Sequence, residues 1–339
     1  MAKSKIFITG IAGFLGSHLA DALLKQGHEV SGCDNLLGGY RDNVSKDIEF
    51  HEIDAQDLEA LKKLTEGIDI VYHCAAAPHE GLSVFSPHLV NKHTYTTSVV
   101  TFTAAAINKV RRIVFCSSMA RYGNQGSQGG IFTEDMKPEP VDPYGIAKYA
   151  SERLLKIMAH VHGMEYSIAI PHNIYGPRQK YDDPYRNVIS IFANRMLQGK
   201  QPIIYGDGEQ KRSFSYIDDA VDPLVKMGFQ ENTNGELFNI GPDEEFTTVN
   251  HAAEIIADIL HFKLEPIYVP ERPQEVKYAG CNAEKARRML RYSTSTLFEN
   301  GVRETVEWIK QRGAKPFEYH LEVEIGNEKT PETWTKKMI

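Results

Sequence analysis

No apolar run in this chain of 339 residues approaches the roughly 20 that a membrane-spanning helix needs. Cysteine is scarce. Cys33, Cys74, Cys116 and Cys281 are widely separated and form no Cys-x-x-Cys pair, so neither a thiolate metal clip nor a disulfide framework is expected. Buried free thiols in a reducing cytoplasm are the expectation instead. Positive charge is also in short supply, with 38 Lys and Arg against 45 Asp and Glu for a net charge of −7. That balance gives no long-range attraction for nucleic acid or an anionic membrane. The 13 histidines include no His-x-x-x-His or His-Glu-x-x-His spacing, and no metal is expected. Repeats and low-complexity tracts are missing, and Met1-Ala2-Lys3-Ser4-Lys5 runs straight into a strand-like segment, which reads as a chain without a signal peptide.

What is present is an alternation. Ile6-Phe7-Ile8, Glu29-Val30, Ile48-Glu49-Phe50, Ile70-Val71-Tyr72 and Ile113-Val114-Phe115-Cys116 read as strands. Helices fit between them at 16–26, 58–64 and 91–108. Such β-α alternation predicts an α/β protein, a Rossmann-like doubly wound parallel sheet with helices on both faces. Beyond residue 175 the pattern loosens, with helices expected at 188–199, 249–260 and 283–290. The expected division is a dinucleotide-binding domain over 1–175, a smaller C-terminal substrate-binding lobe over 176–319 and a surface tail over 320–339. A strand or helix of the second part is allowed to return to the first.

Thr9-Gly10-Ile11-Ala12-Gly13-Phe14-Leu15-Gly16 follows the first strand and opens an amphipathic helix. Glycines at this spacing let the backbone turn and approach a pyrophosphate, which the helix N-terminus then meets with free N–H groups. Gly10, Gly13, Phe14, Leu15 and Gly16 are therefore cofactor candidates. Asp34 ends the second strand, where a carboxylate accepts hydrogen bonds from an unphosphorylated ribose. NAD is favoured over NADP, although Arg41 offers a cation for a 2′-phosphate. Asp54 after the third strand is placed near the adenine edge, and Ala75-Ala76 after the fourth allow a close backbone approach.

Tyr144 and Lys148 stand at i and i+4, so on a helix the phenol and the ammonium share a face. A neighbouring cation favours phenolate, which gives a base able to take a hydroxyl proton. The fifth strand ends in Ser117-Ser118, at the edge that faces the ligand crevice in such sheets. Ser118 is the candidate to hydrogen-bond the reacting oxygen.

With these residues in place, the sequence resembles the extended short-chain dehydrogenase/reductase family of nucleotide-sugar epimerases and dehydratases, closest to the UDP-hexose 4-epimerases. The resemblance runs from Lys5 to about Leu290. It rests on Thr-Gly-x-x-Gly-Phe-Leu-Gly, Asp34-Asn35-Leu36, Ser117-Ser118 with Tyr122-Gly123, Asp142-Pro143-Tyr144 with Lys148, Asn173-Ile174-Tyr175-Gly176-Pro177-Arg178, Gly206-Asp207-Gly208 with Arg212-Ser213-Phe214 and Asp218-Asp219, and Arg272-Pro273 with Glu275. It implies Tyr144, Lys148 and Ser118 as catalytic residues. It adds Asn35, Ala55, Asn91 and Ser117 to the NAD contacts, and Pro78, His79, Asn173, Arg212, Arg272 and Glu275 to the contacts of a UDP-sugar. Two guanidinium forks suit a pyrophosphate. A homodimer built on the helices around 97–106 and 148–159 is also implied, with Leu154, Leu155 and Met158 either in the interface or facing the sheet.

Dehydratases of this kind carry an Asp-Glu pair just before the Tyr-Gly of the serine loop, decarboxylases a Glu, and 3,5-epimerases a Cys where Ala120 stands. This chain has Met119 and Ala120. The reading that remains is epimerisation at C4 through a transient 4-keto sugar. A dehydratase or 2-epimerase, with Glu80 supplying an extra acid or base, stays as an alternative, as does a non-catalytic NAD sensor. His79 or His172 is a candidate to line the sugar pocket.

Overall fold

The computed structural model describes residues 3–128, 131–244, 246–273 and 275–339. Seven parallel strands form the central sheet: β1 (Lys5–Thr9), β2 (Glu29–Asp34), β3 (Glu49–Glu52), β4 (Ile70–His73), β5 (Arg112–Cys116), β6 (Glu165–Pro171) and β7 (Leu237–Ile240). Their spatial order is 3-2-1-4-5-6-7, so the winding reverses beside β1, and ligands bind outside the strand ends at that crevice. β7 comes from far along the chain and pairs with β6 from Leu237↔Ile168 to Ile240↔Pro171.

The strands are apolar on both faces, as a sheet covered on both sides requires. Ile6, Ile8, Tyr72 and Val114 belong to one buried cluster, and Phe7, Val71, Ile113 and Phe115 to the other. The first cluster is closed by α1 (Phe14–Lys25), the second by α2 (Leu58–Leu64), α3 (Thr97–Ile107) and α4 (Pro143–His162). Leu155 is fully buried in that second cluster and Leu154 and Met158 pack against it, so these three face the sheet side. The solvent face of α3 and α4 carries Ile107, Ile146, Ile157 and Val161 instead, all exposed.

α4 carries its own start and stop signals. Asp142 caps it by accepting from the Gly145 amide (2.8 Å), Pro143 occupies the first turn, and Gly163 ends it in the left-handed region at φ 70°.

Beyond β6 come α5 (Val188–Leu197), α6 (Ile217–Phe229), α7 (Val249–Leu260), α8 (Glu284–Leu290) and α9 (Phe298–Arg312). α6 and α8 join α1 over the sheet. Phe192 of α5, Ile256 of α7 and Val302 of α9 belong to the same buried cluster, so the second lobe is packed continuously with one face of the first.

The expectation of a surface tail over 320–339 is corrected. Leu321, Trp334 and Ile339 are buried with Leu82, Phe85, Tyr185 and Ile203. Trp334, 3% exposed, stands edge-on to Phe85 and Tyr185, and Arg195 donates to the Met338 carbonyl (2.9 Å). The segment is polar in composition but places Leu321, Trp334 and Ile339 inward, and the Glu324 carboxylate accepts from the His88 and Leu89 amides (3.0 and 2.8 Å).

Candidate active site

The glycine loop joins β1 to α1. Gly10 has φ 74°, and a Cβ there would lie 2.8 Å from the Ala75 amide nitrogen; at Gly16 a Cβ would lie 2.1 Å from the Gly10 carbonyl oxygen. Both positions hold backbone against backbone, which clears the N-terminus of α1 for a phosphate. Gly16→Ala is expected to cost about 1–3 kcal/mol from overpacking and to empty the protein of NAD. Nucleotide released on denaturation measures the second effect; retention at wild-type stoichiometry would contradict it.

Asp34 closes the loop from below. Its Oδ2 accepts from the Ala12 (3.0 Å) and Gly13 (3.1 Å) amides and its Oδ1 from Leu36 (2.8 Å). Burial pushes its carboxyl up, and the backbone amides oppose that. The carboxylate thus shapes the phosphate loop and still faces the cleft. Asn35 donates to Asp54 Oδ2 (3.1 Å), so these two form one polar edge beside Ala55.

A single cavity of ≈ 450 Å³ runs from this loop past the ends of β4 and β5 into the second lobe. It is lined by every residue named above as a catalytic, NAD or UDP-sugar candidate except Asn91 and His172. Asn91 is away from it: its side-chain amide donates to the Pro87 carbonyl one turn earlier (2.8 Å), which spends it on its own helix. His172 is also outside. It is fully buried, held by Asn239 (3.4 Å) and lowered to about 4 by burial. His79 is at the cavity wall, where its Nε2 meets Asp183 Oδ2 at 2.9 Å.

Tyr144 sits at the centre, 4% exposed. Burial raises its phenol, as does the Glu80 carboxylate; Arg186 and a hydrogen bond with the Ser118 hydroxyl pull it down. Lys148 shares its helix face, yet its Nζ is 5.9 Å from the Tyr144 ring centre and donates to the Cys116 carbonyl (2.7 Å). The ammonium thus stands near the Tyr144 ring and is anchored at the end of β5. Burial lowers this ammonium to about 8.

Ser118 Oγ accepts from the Ala120 amide (3.2 Å) and remains in the cavity. Ser117 lines it too, but its hydroxyl donates to Glu152 Oε1 (2.5 Å). Glu152 in turn faces Arg121 (3.1 Å), both side chains almost wholly buried. Ser117 is thus tied to the protein interior.

The second lobe contributes cations. Arg272 donates to both Glu275 oxygens (3.0 and 3.2 Å) and stacks over the Tyr205 ring at 4.7 Å. Arg212 lies 3.6 Å from Glu275. Glu275 therefore holds two guanidinium groups side by side, and the arginines themselves offer the remaining N–H groups to the cavity. Two residues carry weight that the sequence reading did not assign. Arg186 lines the cavity with no ion-pair partner among the described residues. Trp334 lines it from the C-terminal segment; that one of only two tryptophans stands in an otherwise polar stretch was the available signal. Glu80 projects into the cavity, where the surrounding walls and then Asp142 raise it to about 7 against Arg212, Arg186 and Arg272.

A parallel sheet with a glycine loop at its switch point and a buried tyrosine, lysine and serine at the next strand end defines a dinucleotide-dependent enzyme of the Rossmann kind. The chain belongs to the NAD dependent epimerase/dehydratase family, which it matches over residues 6–241. It is 32% identical over 310 residues to a putative UDP-glucose 4-epimerase of Methanocaldococcus jannaschii, covering 90% of this chain and 98% of that one. Among solved structures it is similar to the UDP-glucose 4-epimerase of Thermotoga maritima with UDP-glucose (TM-score 0.84, 31% identity, 91% and 99% covered). It is likewise similar to the UDP-glucuronic acid 4-epimerase of Bacillus cereus with UDP-glucuronic acid and NAD (TM-score 0.83, 29% identity, 91% and 99% covered). NAD is the cofactor of this family, and the open glycine loop and Asp34 fit it.

Proposed function

We propose that the protein interconverts UDP-hexoses or UDP-N-acetylhexosamines at C4 through a transient 4-keto sugar. The observation that carries this reading is the placement of the Tyr144 phenol and Ser118 hydroxyl between the glycine loop on one side and Arg212 and Arg272 on the other, in one cavity. Met119 and Ala120, next to Ser118, offer no acid for elimination or decarboxylation.

NAD, held by the glycine loop and Asp34, would supply the hydride acceptor when bound. Tyr144 takes the C4 hydroxyl proton and gives it back, and Ser118 holds the same oxygen. Lys148, fixed on the Cys116 carbonyl, would orient the cofactor ribose. Arg212 and Arg272 hold the diphosphate while the keto sugar turns about it and presents its other face.

The test mixes the protein with UDP-glucose and UDP-N-acetylglucosamine in turn and follows the sugar by proton NMR. A 4-epimer of equal mass supports the reading; a deoxy-keto sugar sinks it and favours the second reading, a dehydratase using Glu80. That second reading rests on a carboxyl raised to about 7 inside the cavity, close to where an acid–base catalyst is most effective.

The charges around Tyr144 give a signed expectation. If phenolate is the base, activity rises with pH through the tyrosine titration. Glu80→Gln removes a charge that raises the phenol, so the acidic limb of the kcat/KM profile moves to lower pH. Arg186→Gln removes one that lowers it, so the limb moves to higher pH. Shifts of the same sign in both variants would rule out Tyr144 as the group titrating in that limb.

We also infer a homodimer joined through α3 and α4, whose outer face exposes Ile107, Ile157 and Val161. Ile157→Lys is expected to yield a monomer on size-exclusion chromatography; a monomeric parent protein would contradict the inference.

A further inference from the structure

Two thiols meet on the floor of the cavity, and nothing in the chemistry above uses them. The pairing of β4 with β5 runs to His73↔Phe115, so one step further along the two parallel strands Cys74 lies beside Cys116. Neighbouring strands are about 4.8 Å apart, inside the Cα separation that a disulfide spans. The sulfurs are 3.6 Å apart, within hydrogen-bond reach and with no disulfide between them. Both residues line the cavity, Cys74 half-buried and Cys116 nearly closed over. Cys33 and Cys281, the other two cysteines, are fully buried and have no sulfur neighbour among the described residues.

We propose that Cys74 and Cys116 form a reactive dithiol site at the ends of β4 and β5 beside Lys148, closed to a cystine by small disulfides when the cleft holds no dinucleotide. The site does not depend on which sugar the enzyme handles. Hydrogen bonding from the Cys74 thiol lowers Cys116, against burial and with help from the Lys148 ammonium, while Cys74 is held up. Cys116 is thus the sulfur on which a thiolate forms more readily, with Cys74 keeping its proton. The Cys116 thiolate attacks one sulfur of a low-molecular-weight disulfide and expels one thiol. Cys74, losing its proton, then attacks the Cys116 sulfur of the mixed disulfide and expels the second. Two protein thiols are oxidised and one small disulfide is reduced to two thiols.

The consequence follows from position. Closing the sulfurs from 3.6 Å to about 2.05 Å draws together the ends of β4 and β5. The Cys116 carbonyl is the anchor of Lys148, and the Ala75 amide is in close approach to Gly10. The cystine form therefore loses the geometry that receives NAD, and bound NAD in turn covers the thiols.

The experiment treats the full-length protein with oxidised glutathione, once stripped of NAD and once saturated with it, and maps peptides without reduction. The expected result is a Cys74–Cys116 cross-linked peptide that forms at least roughly tenfold more slowly with NAD present, because access controls exchange. The cross-linked protein is expected to bind NAD at least about tenfold more weakly by equilibrium dialysis, with dithiothreitol restoring it. Cys281→Ser should cross-link as the parent does and Cys74→Ser should not. A stable glutathione adduct without the cross-link, a rate indifferent to NAD, or an oxidised form that keeps its NAD affinity would each overturn the proposal. Since cross-linking is read on the unmodified sequence, a variant that fails to fold does not remove the test.

Discussion

Tyr144→Phe is expected to lower kcat by roughly 10²–10⁴-fold, the usual contribution of a positioned acid–base group. The ring is buried and packed beside Val90 and Ala120, and phenylalanine keeps that packing, so the fold should stand. Only the hydroxyl is lost, and with it the hydrogen bond to Ser118, a matter of about 0.5–1.5 kcal/mol. NAD content should be unchanged, since the phosphate loop and Asp34 are untouched. The rate of sugar interconversion and the nucleotide released per protomer are the two readouts. A variant within tenfold of the parent would remove Tyr144 from the chemistry, and a variant lacking NAD would mean that the hydroxyl serves binding.

Arg121→Met is expected to destabilise the protein by about 3–5 kcal/mol, the cost of leaving one member of a buried ion pair without the other. Glu152 is 0% exposed, and its Oε2 lacks a hydrogen-bond partner among the described residues. What it has is Arg121 and the Ser117 hydroxyl. Burial already raises the Glu152 carboxyl, with Arg121 opposing; removing the guanidinium raises it further. A carboxyl raised in the folded state contributes stability below its unfolded pKa and loses it as pH rises through the folded value. The deficit of the variant should therefore shrink as the medium is made acidic. Arg121→Met combined with Glu152→Met should recover most of the loss, because a buried pair replaced whole by apolar side chains is often neutral. Urea melts of the three proteins decide this. A single variant costing under about 1 kcal/mol would show that water reaches the pair.

The parts of the site that were legible in the sequence are those where backbone geometry restricts the residue type. The glycine loop, the acid closing β2 and the Tyr144–Lys148 spacing each need particular residues at particular positions, and each reads from one short window. α7 falls at 249–260 as expected because Thr248 caps it (3.0 Å) and its apolar face repeats along the helix. Arg186 is different. It enters the cavity from the irregular segment between Arg178 and Asn187, where no period links position to direction. Asn91 misled for a related reason: the helix expected over 91–108 opens as a π-helical turn at Lys92–Thr96, and Asn91 belongs instead to the short helix before it. The packing of Trp334 rests on contacts with residues more than a hundred positions away, which local pattern does not encode.

The position of β7 gives this chain a timetable. Synthesis runs N-terminal first, at about 5–20 residues per second. The first six strands are complete at Pro171, and about 65 residues separate it from Leu237; at that speed they take about 3–13 seconds to make. For that interval β6 is an open edge whose N–H and C=O groups accept any passing strand. The nascent enzyme is thus most prone to mispairing after its cofactor half has formed and before its last strand arrives.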